Sequence, residues 1–580
     1  MTPGGRAGYL PDCRERQAVA GFLLIIRSDS GGGYEPSRNE CHRVLSSSRV
    51  MADVSLPWNL RARSAEVSTD PFSGRSLVSR MLVVLRSTGV GRVARTPIRS
   101  REVNPQLLSS CFALTSYRNK RITMLGTLCR SSTALHDVLE ADPVVGQVAD
   151  FLDLIRSDLS FDNDYRRNSL SLTASENYPS KLVRFLGGAR QGSFYEFAPP
   201  YEADAGEWYF PDSGAFGSLV MRLSTLGCRT FRAATFDWRP NGGSAAEQAV
   251  LLGACTRGDG FVHFAHRDGG HFALETLAEA AGIEIFHFPV AADTLQVDPD
   301  RLAALVAAHP NIKVAILDQS FKLRWQPLPQ IRAALPADVL LSYDASHDGG
   351  LIAGGVLPQP LAEGADIIHG NTHKTIPGPQ KAYIAFRDAD SPHLQPISDW
   401  IFPHLQSNSH AELVVPLLVA FAELSVHGQA YAAQVVANAR ALAESLCRLG
   451  FHVSGESFGF TETHQVHIVS GTAAEALRLV ADVLPRAGIR TNNIEIPGSD
   501  GRHGLRLGVQ ALTRRGLRED DMAVVAHLLR RVILRHEDPA PVRNDVARFL
   551  SDHPLDPLPY SFDGLYESPA AHRLLSEVFA

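Results

Sequence analysis

From about residue 216 to 400, short β-rich apolar runs alternate with helical stretches. No other feature constrains the fold as strongly. When strand and helix take turns along a chain, each helix carries the chain back, so the strands pair in parallel. Val314–Leu317 and Val339–Tyr343 read as strands, and Ser244–Gly253, Leu274–Ala281 and Pro299–Ala308 read as helices. The expectation is an α/β domain with a mostly parallel central sheet and its ligand at the carboxyl ends of the strands. Beyond about 425 the pattern changes to a long helix (Ala430–Leu449), a strand (Gln465–Val469) and helices over Ala473–Ala487 and Asp520–His536. That mixture predicts a smaller α+β C-terminal domain. Upstream, Ala134–Arg156 carries Leu135, Val138, Leu139, Val145, Val148, Phe151, Leu152 and Ile155 at helical spacing.

Residues 1–123 have a different texture. Arginine is abundant, Lys120 is the sole lysine, and Ser46-Ser47-Ser48 and Gly31-Gly32-Gly33 break the apolar pattern. An Arg- and Ser-rich leader has the makeup of an organellar transit peptide. The segment is long, however, and carries Glu35, Glu40, Asp53 and Asp70. The favoured reading is a start assigned too early, with Met124 (or Met51 or Met81) opening the folded chain. The expected partition is a poorly structured or mis-assigned extension over 1–123, a helical arm over 124–215, a large domain over 216–424 and a small domain over 425–580.

Charge and cysteine content exclude several classes of function. Fifty-six basic and 62 acidic side chains give a net charge of −6, so no electrostatic case exists for nucleic acid or an anionic membrane as partner. The seven cysteines are scattered, with no CxxC pair. That speaks against a disulfide framework or a zinc site and fits a reducing cytoplasm; no metal is expected. No apolar run reaches the roughly 18–20 residues needed to span a bilayer, so a soluble chain is expected.

Several short segments carry chemistry. Lys374 follows the apolar Ala365–Ile368 and sits among small polar residues in Gly370-Asn371-Thr372-His373-Lys374-Thr375, a setting that suits a Schiff-base lysine, although solvated lysines are commoner. Asp344 ends the run Leu340–Tyr343, where a carboxylate can keep a pyridinium nitrogen protonated and make the ring an electron sink; a turn-capping Asp would look the same. Pro240-Asn241-Gly242-Gly243-Ser244 opens a helix, and glycine amides at a helix N-terminus suit a phosphate, though Ser244 also suits a plain N-cap. His271 follows Gly269-Gly270, placed to stack on an aromatic ring or simply to lie at the surface. Arg506, in the apolar Gly504–Gly508, suits a carboxylate fork or a structural ion pair.

Taken in order, these segments resemble the serine hydroxymethyltransferase family of fold-type I pyridoxal-phosphate enzymes, over about residues 160 to 530. Leu172-Thr173-Ala174-Ser175-Glu176-Asn177-Tyr178, Asp344-Ala345-Ser346-His347 with Gly350-Leu351-Ile352-Ala353-Gly354, Thr372-His373-Lys374-Thr375, and Arg506 with Thr513-Arg514-Arg515-Gly516 are each similar to family motifs. The resemblance implies a pyridoxal 5'-phosphate cofactor in the 216–424 domain. Lys374, flanked by His373, would hold the cofactor as a Schiff base, Asp344 would meet its ring nitrogen and His271 would stack on the ring. Gly243 and Ser244 would hold the phosphate, and Ser320 and His347 would lie near the phenolic oxygen. Arg506 and Ser175 would bind a substrate carboxylate. Tyr195 falls at an active-site tyrosine that reaches across a dimer interface, which implies a homodimer with shared sites.

The folate half departs from the family. Tyr195-Glu196-Phe197 puts Phe197 where the family has a glutamate, Pro199–Tyr209 replaces a recognisable segment, with Tyr209 as a second candidate tyrosine, and Ile376-Pro377-Gly378-Pro379-Gln380-Lys381 replaces the usual run after the lysine. That pattern is similar to the threonine transaldolase branch. It implies retro-aldol cleavage of L-threonine and transfer of the glycine-derived carbanion to a second aldehyde, with no folate. The alternative is a folate-dependent serine hydroxymethyltransferase. Amino-acid and aldehyde substrates are expected, in a cytoplasmic enzyme of specialised metabolism.

Overall fold

A computed structural model of the chain describes residues 143–188, 192–196 and 215–566. The extension over 1–123, the start of the helix expected from Ala134, Phe197 and Tyr209 lie outside the described residues. The described part of that first helix is α1, Pro143–Arg167.

Seven strands form the main sheet: β1 Thr235–Asp237, β2 Gly260–His263, β3 Glu284–His287, β4 Ile312–Leu317, β5 Leu340–Asp344, β6 Ile367–Asn371 and β7 Ala382–Phe386. Their spatial order is β1-β7-β6-β5-β4-β2-β3. Strands β2 to β6 pair in parallel, and β7 runs antiparallel to both of its neighbours. Strands β5, β6 and β7 are buried along their full length, which explains why the run Val339–Tyr343 at β5 is continuously apolar up to its polar end rather than alternating. Successive residues go to opposite faces. Val262, Ala315, Leu317 and Ala385 face one core, while Phe261, Val314, Ile316 and Ile384 face the other.

Helix α2 Phe216–Phe231 precedes β1, and α3 Gly243–Ala254, α4 Phe272–Ala281, α5 Pro299–Ala308 and α6 Leu328–Ala334 lie between successive strands in sequence. The boundaries of α5 match the sequence expectation because its cap is local. The Asp298 side chain accepts from the amides of Asp300 and Arg301, and Pro299 takes the first helical position.

The 35-residue helix α7 runs Val414–Arg448, starting well ahead of the expected Ala430. Its middle crosses the short Gly349–Ala353 helix at Gly428, where a Cβ on Gly354 would lie 2.4 Å from the Gly428 carbonyl oxygen. Glycine at this crossing admits close backbone approach. Ala411–Arg448 is also long and apolar enough to cross a membrane by length and composition, which corrects the expectation that no such stretch exists. Half of that apolar window is buried inside this fold, among residues including Leu417, Phe421 and Tyr431, as befits a core helix.

A second, antiparallel sheet contains β8 Gln465–Gly471, β9 Asn492–Glu495 and β10 His503–Gly508 in the order β8-β10-β9. Helix α8, Glu519–Ile533, packs on α7. Between β8 and β9, Ala473–Arg478 continues through a π-turn at Leu479–Val483 into Leu484–Arg486, close to the expected single helix. Leu170–Ser171 pairs in parallel with Ile489–Arg490. This pairing leads the Thr173–Asn177 turn toward the main sheet.

One buried ion pair ties α7 to the segment after β10. Arg514 Nη2 lies 2.6 Å from Glu423 Oε2, with both side chains almost wholly out of water, and Glu423 also accepts the Phe562 amide at 2.9 Å. Glu423→Ala leaves a buried guanidinium uncompensated, so stability should fall by about 3–5 kcal/mol, read from the urea midpoint. A loss below about 1 kcal/mol would show that carbonyls or water satisfy Arg514 without the carboxylate.

Candidate active site

The carboxyl ends of β4, β5 and β6 converge on one amine. Lys374 lies three residues beyond β6, and its Nζ is 3.2 Å from His347 Nε2. With the Asn371 amide turned to suit its neighbours, that side chain accepts from Lys374 Nζ at 3.0 Å and donates to the Ser346 carbonyl at 3.2 Å. The Lys374 carbonyl accepts from Asn177 Nδ2 at 2.6 Å, so the Thr173–Asn177 turn braces the lysine backbone. Burial pushes the ammonium down to about 8, against the pull of Asp344 and with Arg506 adding to the shift.

Asp344 closes β5, and its Oδ1 accepts the Ser346 amide at 2.7 Å. Burial alone would raise its pKa. The neighbouring His369 and Lys374, together with the Ser346 hydrogen bonds, outweigh burial and hold the carboxyl below its ordinary value. An ionised acid at a parallel strand's carboxyl end can meet a protonated ring nitrogen.

His271 precedes α4. Its backbone amide donates to Asp318 Oδ2 at 2.8 Å, and its Nδ1 lies 3.0 Å from Glu247 Oε2. The Glu247 hydrogen bond raises the imidazole's pKa against the opposing effect of burial. Burial in turn drives the Glu247 carboxyl up to about 7. The pair therefore holds one shared proton or one ion pair near neutrality.

Gly242 and Gly243 open the 12-residue helix α3. A Cβ on Gly243 would stand 3.2 Å from Ser346 Oγ and 3.4 Å from the Asn371 side chain, so glycine keeps open the space in front of the helix N-terminus. Ser244 is exposed there. Behind the turn, Lys381 is buried, and its Nζ donates to the carbonyls of Arg239 at 2.9 Å and Ser409 at 2.6 Å.

Arg506, on β10, is buried. Its Nη1 donates to the Ser320 carbonyl at 3.0 Å and lies 3.4 Å from His347 Nε2, and its Nε donates to Asn492 Oδ1 at 3.2 Å. Burial lowers its pKa to about 10, so it stays charged at neutrality. No carboxylate pairs with it among the described residues. His347 stacks on His464, with ring centroids 5.5 Å apart. Burial and the Lys374 and Arg506 cations push its pKa well down, so its imidazole is neutral.

The structure thus brings together Lys374, Asp344, His347, Arg506 and the Ser175 turn, and places Gly243 and His271 beside them through Asn371 and Glu247. Ser320 enters through its backbone carbonyl. His373 is partly buried, its Nδ1 has no hydrogen-bond partner among the described residues, and burial lowers its pKa to about 4. Tyr195 is 41% exposed; a Cβ on Gly192, three residues before it, would stand 3.0 Å from Glu412 Oε1.

The sequence reasoning missed Glu247, Asn371, His464 and Lys381. Glu247 left a signal, as the one acid in the otherwise apolar and small-residue helix α3. Asn371 lay inside the Gly370–Thr375 motif, three residues from the Lys374 amine it meets; His464 and Lys381 left no signal, because their partners are distant in the chain.

A family model described as serine hydroxymethyltransferase matches residues 152–529. The serine hydroxymethyltransferase of Pyrococcus abyssi is 33% identical over 409 residues, 69% of this chain and 94% of that protein. That of Archaeoglobus fulgidus is 34% identical over 414 residues, 70% of this chain and 91% of that protein. The crystal structure of L-threonine transaldolase from Pseudomonas fluorescens in internal aldimine state is similar with a TM-score of 0.73 and 54% identity, covering 75% of this chain and 98% of that one.

An amine must be neutral to attack an aldehyde, so raising the pH through the Lys374 pKa should speed capture of pyridoxal phosphate by cofactor-free protein. Half-maximal rate is expected near pH 8. A midpoint close to the ordinary lysine value of about 10.4 would show that burial does not depress this amine. The rise in absorbance on mixing, followed against pH, measures it.

Proposed function

The chain belongs to the serine hydroxymethyltransferase family and is a pyridoxal-phosphate-dependent transferase of fold type I, and within that family we propose that it is an L-threonine transaldolase. The observation that carries this reading is the 54% identity, over nearly all of the neighbouring chain, to a protein described as L-threonine transaldolase. The curated serine hydroxymethyltransferases stand at 33–34%. Phe197 at the glutamate position supports the same choice. The second reading, folate-dependent hydroxymethyl transfer, is favoured by those same curated relatives.

The residues present fit the cofactor. Gly243 leaves a cradle that a Cβ would fill, Asp344 is an ionised acid and Lys374 is a buried amine with a depressed pKa. When bound, pyridoxal phosphate supplies an electron sink for a carbanion at the amino-acid α-carbon. In this reading Lys374 Nζ would anchor it, Asp344 would keep a proton on its ring nitrogen, His271 would stack on its ring, and Gly243, Ser244 and the α3 N-terminus would take its phosphate. Arg506, with Ser175 nearby, takes the amino-acid carboxylate, and its hold on the Ser320 carbonyl and Asn492 sets the angle of the fork.

Threonine must lose its hydroxyl proton for the Cα–Cβ bond to break and release acetaldehyde. His373, the neighbour of Lys374, has its pKa lowered by burial to about 4 and so stays neutral, and in this reading it would lie beside the cofactor. Addition of a second aldehyde returns the proton and forms a new β-hydroxy-α-amino acid. Tyr195 and Tyr209 would complete the aldehyde side in a homodimer, with the large and small domains meeting near residue 425. The apolar face of α1, which exposes Phe151, Leu154, Leu159 and Phe161, is a surface such a dimer would cover. The free cysteines Cys228, Cys255 and Cys447 accord with a cytoplasmic setting.

Purified protein given L-threonine and an aromatic aldehyde without folate should release acetaldehyde faster than with threonine alone and yield a new β-hydroxy amino acid. Silence there, with turnover of L-serine and tetrahydrofolate, would establish the second reading instead. Arg506→Lys removes the bidentate fork, and a lost hydrogen bond to a charged group costs about 1.5–3 kcal/mol. The KM for threonine should therefore rise roughly 10- to 100-fold. An unchanged KM would remove Arg506 from the carboxylate site.

A further inference from the structure

We propose that the chain binds one divalent first-row transition metal ion, zinc being the case to test, at His263, Glu275 and His287. The three residues come from three elements. His263 ends β2 and His287 ends β3, and they are direct partners in the parallel register, so both side chains leave the same face of the sheet. Glu275 stands in the first turn of α4. One ligand atom from each lies within 4.8 Å of the other two. Glu275 Oε1 is 3.1 Å from His287 Nε2 and 3.4 Å from His263 Nε2. Tetrahedral zinc, with bonds of about 2.1 Å, holds its ligand atoms roughly 3.4 Å apart. Two imidazoles and one carboxylate are a donor set that suits zinc and its neighbours.

A second observation points to a cation. His263 is fully buried. Its Nδ1 lies 3.1 Å from the buried Asp318 Oδ2, while its Nε2 has no hydrogen-bond partner among the described residues. A histidine that gives its Nδ1 proton to a carboxylate presents a lone pair at Nε2, and that is how outer carboxylates orient metal-binding imidazoles. Here the lone pair faces Glu275, another acceptor, so a positive charge belongs between them. It is either a second proton on His263 or a metal ion. The bland alternative is therefore a buried imidazolium spanning Asp318 and Glu275.

Access favours the metal. The His287 and Glu275 side chains are 45% and 35% exposed, and His287 lines a cleft of about 880 Å³ shared with Arg267, Asp268 and Arg301. Three protein ligands leave a coordination position for water or a small ligand. Asp318 also accepts the His271 amide, so the outer carboxylate of this site is shared with the residue set against the cofactor. The expectation of no metal rested on cysteine spacing, and this cluster contains no cysteine.

The test uses the holoenzyme, equilibrated with zinc chloride, passed through a desalting column and assayed for zinc and protein. Wild type should retain one zinc per chain and gain in melting temperature. His287→Ala and Glu275→Gln, both at partly exposed positions, should weaken zinc binding at least tenfold and lose the thermal gain while keeping the cofactor's absorbance. Zinc retained equally by wild type and both variants would overturn the assignment. So would a wild type that retains no stoichiometric zinc, and His263 would then be the imidazolium.

Discussion

Burial of the Lys374 amine is the constraint around which this structure is organised. An ammonium held out of water is unfavourable unless opposite charge or a lowered pKa compensates, and both occur here. Asp344 lies close enough to stabilise the charged form, while Arg506 and the surrounding protein disfavour it, leaving the amine near 8. His347 is squeezed between the two cations and is kept neutral as a result. Three neighbouring groups thus have protonation states set by one another, and the parallel sheet provides the frame, since β5 and β6 deliver Asp344 and Lys374 from adjacent strand ends.

The second sheet brings the remaining charge. Arg506 comes from β10, far along the chain, and is held by the Ser320 carbonyl next to β4 and by Asn492 on β9. The pairing of Leu170–Ser171 with Ile489–Arg490 draws the upstream Ser175 turn into the same space, where Asn177 grips the Lys374 carbonyl. A guanidinium kept charged, buried and without a carboxylate among the described residues has affinity to spare for an anion. The substrate end and the cofactor end of the site therefore come from different parts of the chain, joined at His347.

Asp318 shows how closely two parts of the main sheet are coupled. Its two oxygens take the Phe264 and His271 amides and face the His263 ring. A single buried carboxylate therefore fixes the loop in front of α4, the ring orientation of His263 and the backbone of His271. Any ion or proton on His263 acts on a group shared with the cofactor's neighbourhood.

The amino-acid sequence by itself determined the parallel α/β architecture, because alternating runs such as Val314–Leu317 and Pro299–Ala308 encode strand and helix locally. It also marked Lys374, Asp344, His271, Gly243 and Arg506, whose signals are short motifs with characteristic neighbours. Helix ends with local caps, such as Asp298 before α5, were equally legible. The start of α7 was not, since that end of the helix is stabilised by burial against distant elements rather than by a cap. Only the tertiary structure decided that Glu247 faces His271, that His464 stacks on His347 and that Ser320 serves through its carbonyl. It alone brought His263, Glu275 and His287 together. Those relations depend on strand register and on packing between residues remote in sequence, and no local pattern of residue types records which side chains a fold will bring within 3 Å of each other.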